Sequence, residues 1–128
     1  MPEGTRVLMV DDDPAMLRLL EVNFRLEGFV VDSATRGDEA LAIAEATPPA
    51  AVLLDMMMPG MDGLEVCRRL RALPGLAEVP VIFLSARVRD DDEPEDPTLG
   101  PVTHLSKPFD PQLLVGLVRR RIGEGEVT

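Results

Sequence analysis

Apolar and polar positions along the chain alternate between short apolar runs and longer segments with a helical period. RVLMV at 6–10, AAVLLD at 50–55 and VPVIFLS at 79–85 are the runs, and VTHLS at 102–106 reads as a short fifth strand. Near-continuous apolar stretches of this length read as strands buried on both faces, because a half-exposed strand alternates apolar with polar. FVVDSA at 29–34 is more mixed and suits a strand near a sheet edge. Between these runs, Met16, Leu20 and Phe24 with Leu17 share one helical face over 14–26. A second helix to about 46 has a small packing face of Ala40, Leu41 and Ala44. A third, after 62, turns Leu64, Cys67 and Leu70 or Arg71 inward, and a last one over 111–122 turns Leu113, Leu114, Leu117 and Val118 inward.

The punctuation agrees. Asp13 can cap the first helix with Pro14 at its first position, where a missing amide hydrogen costs nothing. Gly28 ends that helix, and Pro48 with Pro49 ends the second. Pro59 and Gly60 stop the third strand, Asp62 and Glu65 have capping-box spacing, and Asp110 with Pro111 restarts a helix. Strand and helix alternating five times predicts an α/β fold, a doubly wound five-stranded parallel sheet with helices on both faces.

One segment breaks the alternation. Residues 86–101 stand where a fourth helix belongs, but Pro94, Pro97 and Pro101 forbid a regular one, and six of the seven residues at 90–96 are acidic. A loop or at most one turn is expected, the fourth helix being degenerate or missing.

At 128 residues and 45% hydrophobic, the chain is read as one domain over 1–128 with its core at about 6–122. Residues 123–128 are read as a tail or the start of a linker. Cys67 is the only cysteine, which rules out an internal disulfide and fits a reduced compartment. No apolar run reaches the roughly 18 residues of a membrane span, and the N-terminus lacks a signal-peptide pattern, so a cytoplasmic protein with no membrane partner is expected. A net charge of -10 argues against direct nucleic-acid binding. Arg119, Arg120 and Arg121, the only run of three consecutive basic residues, read as a complement to a helix dipole.

Candidate chemistry gathers at the carboxyl ends of the strands. The first strand delivers Asp11 and Asp12, the third Asp55, the fourth Ser85 and the fifth Lys107. Adjacent strands lie about 4.8 Å apart, so these carboxylates converge. They repel one another unless a cation intervenes, and Mg2+ accepts a few carboxylates while keeping positions for water and phosphate oxygen. Lys107 adds a positive point charge and Ser85 a hydroxyl donor. The set describes a phosphoryl site with Asp55 as nucleophile, forming an acyl phosphate.

With VLMVDDDP at 7–14, LDMMMPGMDG at 54–63, SA at 85–86 and KPF at 107–109, the chain resembles the receiver domain of two-component response regulators from Val7 to about Ile122. The resemblance implies the flavodoxin-like strand order 2-1-3-4-5 and a cis Lys107–Pro108 bond. It makes Asp55 the phosphoacceptor and Asp12 and Asp55 direct Mg2+ ligands, with Asp11 acting through water and the Met57 carbonyl as a further ligand. Ser85 and Lys107 contact the phosphoryl group, and Ser85 with His104 forms the conformational switch. The implied donors are a sensor histidine kinase, a phosphotransfer protein or a small acyl phosphate. A downstream output protein or domain would read the changed surface, and a homodimer is possible on the same grounds. The enzymatic activity implied is at most catalysis of its own phosphorylation and dephosphorylation.

Two departures stand out. His104 is smaller and more polar than the Tyr or Phe usual at the switch position. The proline-rich acidic segment replaces part of the face through which such domains signal or dimerise. Met57 and Arg87 fall where the family tunes access to the phosphoryl group. A divergent receiver acting as a phosphate-independent docking module is the alternative. A hydrolase of the haloacid dehalogenase type fits poorly, because DDDPA at 11–15 lacks that family's final Thr.

Overall fold

The computed structural model describes residues 4–85 and 97–126. Its strands are β1 (Arg6–Val10), β2 (Val30–Ala34), β3 (Ala51–Asp55), β4 (Val81–Ser85) and β5 (Val102–Ser106). The helices are α1 (Pro14–Leu26), α2 (Gly37–Ala46), α3 (Gly63–Arg71) and α4 (Pro111–Glu126). Every strand pair is parallel, and the order is β2-β1-β3-β4-β5, as the resemblance implied.

Period-two alternation divides the sheet residues between two cores. Val7, Met9, Leu53, Ile82 and Leu84 face Leu17, Leu20 and Phe24 of α1 and Leu114, Val115 and Val118 of α4. Leu8, Val10, Val52, Leu54 and Phe83 face Ala40 and Ala44 of α2 and Val66, Cys67 and Leu70 of α3. The small α2 face lets that helix lie close to the sheet. Covered on both sides, β3 and β4 are buried at every position, which is why their sequences read as unbroken apolar runs.

α1 begins as expected, with Asp13 accepting from the Ala15 amide at 3.0 Å and Pro14 next to it. At α3 the capping box is half made. Asp62 accepts from the Glu65 amide at 2.9 Å, but the Glu65 carboxylate pairs with Arg69 at 2.9 Å.

Several expectations are corrected. Pro80 has no amide hydrogen to give, and β4 starts after it, at Val81. In α3, Val66 is buried beside the expected Cys67 and Leu70, while Leu64 is only partly covered. In α4, Leu113 is 71% exposed and Val115 takes the core position. α4 also runs to Glu126, past the end expected at 122, so Arg119 to Arg121 do not lie in its last turn. Arg119 instead ties α4 to the end of α1, pairing with Glu27 at 2.9 Å and lying over the Phe29 ring.

The segment expected to form a loop or a single turn lies partly outside the described residues, at 86–96. Its remainder contains one 3-10 turn, Pro97–Leu99, with Leu99 buried in the second core.

Arg71, the last residue of α3, holds this turn in place. Its guanidinium donates to the carbonyls of Leu99 at 2.7 Å, Pro101 at 2.8 Å and Leu76 at 3.0 Å, and to that of Val79. The Cys67 thiol donates to the same Leu99 carbonyl at 3.5 Å. Gly100 makes the approach possible. Its φ is +66°, and a Cβ there would sit 2.7 Å from Arg71 Nε.

Candidate functional site

In this strand order the chain turns one way from β1 to β2 and the other way to β3. The crevice beyond the carboxyl ends of β1 and β3 is therefore the topological switch point, where open α/β sheets bind ligands. β1 ends at Val10, directly before Asp11 and Asp12, and β3 ends on Asp55 itself. Parallel register between Val10 and Leu54 sets the two ends side by side.

The three carboxylates meet. Asp11, Asp12 and Asp55 each offer an oxygen, and these atoms lie within 4.8 Å of one another. Asp11 is 1% and Asp55 6% exposed, while Asp12 stands in solvent. Backbone amides orient the buried pair. Asp11 Oδ1 accepts from the Asp13 amide at 2.9 Å, and Asp55 Oδ1 accepts from the Met57 amide at 3.2 Å.

Lys107 follows directly on the end of β5 and extends its ammonium between the two buried carboxylates. Nζ is 3.3 Å from Asp11 Oδ2 and 3.7 Å from Asp55 Oδ1. Its amide donates to the Ser85 carbonyl at 2.6 Å, which joins the ends of β4 and β5. Ser85 is buried at the end of β4. The Lys107–Pro108 bond is cis, as the resemblance implied.

One ammonium does not balance three carboxylates. The Asp55 carboxyl is pushed above its ordinary value, chiefly by burial. The Met57 amide and Lys107 oppose the rise, while Asp11 and Asp12 add to it. A buried cluster of this sign, with one side open at Asp12, suits a hard divalent cation.

The meeting of Asp11, Asp12, Asp55 and Lys107 was legible in the sequence, and the backbone around it was not. The amides of Asp13 and Met57 as orienting donors, and the role of Gly63, were not foreseen. A Cβ on Gly63 would come within 2.5 Å of the Asp55 carbonyl oxygen. The sequence signal for it is the second glycine of the turn after Asp55. His104 lies apart from the carboxylates, stacked on Phe83 with ring centroids 5.2 Å apart and the planes at 27°. Arg87 lies outside the described residues.

Residues 7–119 match the model of the response regulator receiver domain. The chain belongs to this family. It is 42% identical over 123 residues to the DNA-binding response regulator MtrA of Mycolicibacterium smegmatis, covering 94% of this chain and 52% of that protein. It is 40% identical to the response regulator PleD of Caulobacter vibrioides, covering 91% of this chain and 26% of that protein. The chain thus spans about half or less of the length of these curated relatives.

Among solved structures, the chemotaxis protein CheY4 of Vibrio cholerae superposes with a TM-score of 0.85 at 27% identity, covering 91% of this chain and 98% of that one. The receiver domain of the sensor histidine kinase PA1611 of Pseudomonas aeruginosa does so with a TM-score of 0.82 at 31% identity, covering 94% of this chain and 98% of that one. In that structure a magnesium ion is coordinated in the active-site cleft. This chain is a receiver domain with the acidic cluster expected for Mg2+. No helix among the described residues is long and apolar enough to cross a membrane.

Proposed function

We propose that residues 1–128 form a phosphorylation-dependent signalling switch in which Asp55 takes a phosphoryl group from a sensor histidine kinase, a phosphotransfer protein or a small acyl phosphate. The observation that carries this reading is the convergence of Asp11, Asp12 and Asp55 within 4.8 Å, with Lys107 reaching both buried members. In the transfer, a carboxylate oxygen of Asp55 bonds to phosphorus as the bond from phosphorus to the donor breaks. The Met57 amide fixes the carboxylate's orientation, and burial keeps water from competing at it.

Asp12, Asp55 and the Met57 carbonyl would hold Mg2+ directly, and Asp11 through water. Bound there, the ion would supply positive charge to neutralise phosphoryl oxygens. Lys107 moves its ammonium from the carboxylates toward the added phosphoryl oxygens, and the Ser85 hydroxyl donates to them. That displacement draws Ser85 inward. His104, two residues before the end of β5, responds by changing its stacking on Phe83. The altered face controls a downstream protein or output domain, or self-association. The receiver's charge of -10 keeps it from touching nucleic acid itself, even where the whole protein binds DNA as MtrA does.

Intact mass after incubation with Mg2+ and acetyl phosphate tests this. One metal-dependent phosphoryl adduct is expected, absent in Asp55→Asn, together with Mg2+-dependent beryllofluoride binding. Mg2+ binding without either would favour a phosphate-independent docking module.

A further inference from the structure

The turn after Asp55 carries Met56, Met57, Met58 and Met61. Three of them are built into the protein: Met58 belongs to the second core, and Met56 and Met61 pack against it. Met57 differs. At 67% exposed, it is the one methionine among the described residues whose side chain stands largely in solvent. Its backbone is held. The Met56 amide donates to the Leu84 carbonyl and the Met57 amide to Asp55 Oδ1, both at 3.2 Å. An open thioether is thus mounted on the residue that orients the buried carboxylate.

We propose that Met57 is a reversible oxidation site through which hydroperoxides modulate the acidic cleft. The thioether sulfur attacks one peroxide oxygen and an S–O bond forms as the O–O bond breaks. The sulfur is oxidised by two electrons, the peroxide is reduced, and with hydrogen peroxide the other oxygen leaves as water after proton transfer. An apolar side chain becomes a polar one with a strong acceptor oxygen at the mouth of a site already rich in negative charge. An anionic phosphoryl donor then meets greater repulsion, and a bound cation meets a new acceptor. Methionine sulfoxide reductases restore the thioether. The effect on phosphoryl uptake rests on the function proposed above, whereas the oxidation itself does not.

Graded hydrogen peroxide on the whole chain, followed by peptide mass spectrometry, reads the order of oxidation. Met57 sulfoxide is expected to form severalfold faster than the sulfoxides of Met9, Met16, Met56, Met58 and Met61. Oxidised protein should take phosphoryl from acetyl phosphate severalfold more slowly and show a shifted Mg2+ midpoint in thermal unfolding. Both should return with sulfoxide reductases, and Met57→Leu should lose its sensitivity to peroxide in both readouts. Equal oxidation of these other methionines, or an equal peroxide effect in Met57→Leu, overturns the assignment. If untreated protein takes no phosphoryl group, the proposed function fails by itself. The oxidation order and the Mg2+ midpoint then decide the role of Met57, and an unchanged midpoint counts against it.

Discussion

Two charged groups are withdrawn from water at opposite ends of the strands, Asp55 buried and Arg71 partly buried, and burial acts on both in the same sense. It pushes the Asp55 carboxyl up and the Arg71 guanidinium down, each toward its neutral form. Their surroundings differ. Arg71 donates to four carbonyls, of Leu76, Val79, Leu99 and Pro101, so its donors are spent on backbone acceptors. Asp55 shares one ammonium with Asp11 and lies beside Asp12, which leaves the cluster short of positive charge. A buried charge with all its partners present is structure; one left short of partners is a place for something to bind.

The largest expected effect tests the satisfied end. Arg71→Ala removes a donor from four carbonyls at once and should cost about 3 kcal/mol in urea unfolding. Arg71→Lys should recover only part of this, because an ammonium cannot reproduce the planar fork. Gly100→Ala should cost about 2 kcal/mol, from the left-handed backbone and the contact with Arg71 Nε. If Arg71→Ala cost less than 1 kcal/mol by the same measurement, the contrast between the two ends would fail.

The opposite sign is expected at the site. Under the proposed function, Asp55→Asn should abolish phosphorylation, and it should stabilise the metal-free protein by about 1 kcal/mol at neutral pH. Because the folded carboxyl's pKa is raised, its stabilising contribution is complete below the ordinary carboxylate value and is lost as pH rises through the raised value. The gain from Asp55→Asn should therefore be largest at neutral pH and vanish as pH falls below the ordinary carboxylate range. Saturating Mg2+ should narrow the gap from the other side by stabilising only the native protein. Thermal unfolding of both proteins across pH, with Mg2+ and with chelator, checks both trends.

The two ends were not equally legible in the sequence. Strand runs, α1 and the carboxylates announced themselves, because burial on two faces leaves unbroken apolar runs and because Asp11, Asp12 and Asp55 each follow or end one. Arg71 did not. Its acceptors are backbone carbonyls up to 30 residues away, and backbone carries no residue-specific signal. In α4 the apolar residues Leu113, Leu114, Val115, Leu117 and Val118 spread over about 200° of the helix circumference, with Leu113 and Val115 at its two margins. Periodicity alone could not choose between Leu113 and Val115, and contact with the sheet decided it.

The smallest effect separates the two causes of strain at Asp55. Burial is the main one, and repulsion from Asp11 and Asp12 is secondary. Asp12 carries the same charge in the same cluster but stands in solvent, where water already screens it. Asp12→Asn should therefore weaken Mg2+ binding while changing metal-free stability by no more than about 0.5 kcal/mol, as is usual for an exposed substitution. A gain as large as that of Asp55→Asn would mean that mutual repulsion, not lost hydration, strains the site. Sodium chloride should then reduce both gains alike, since screening acts on repulsion between charges and does little for a carboxylate deprived of water. Under the burial account, salt leaves the Asp55→Asn gain largely intact.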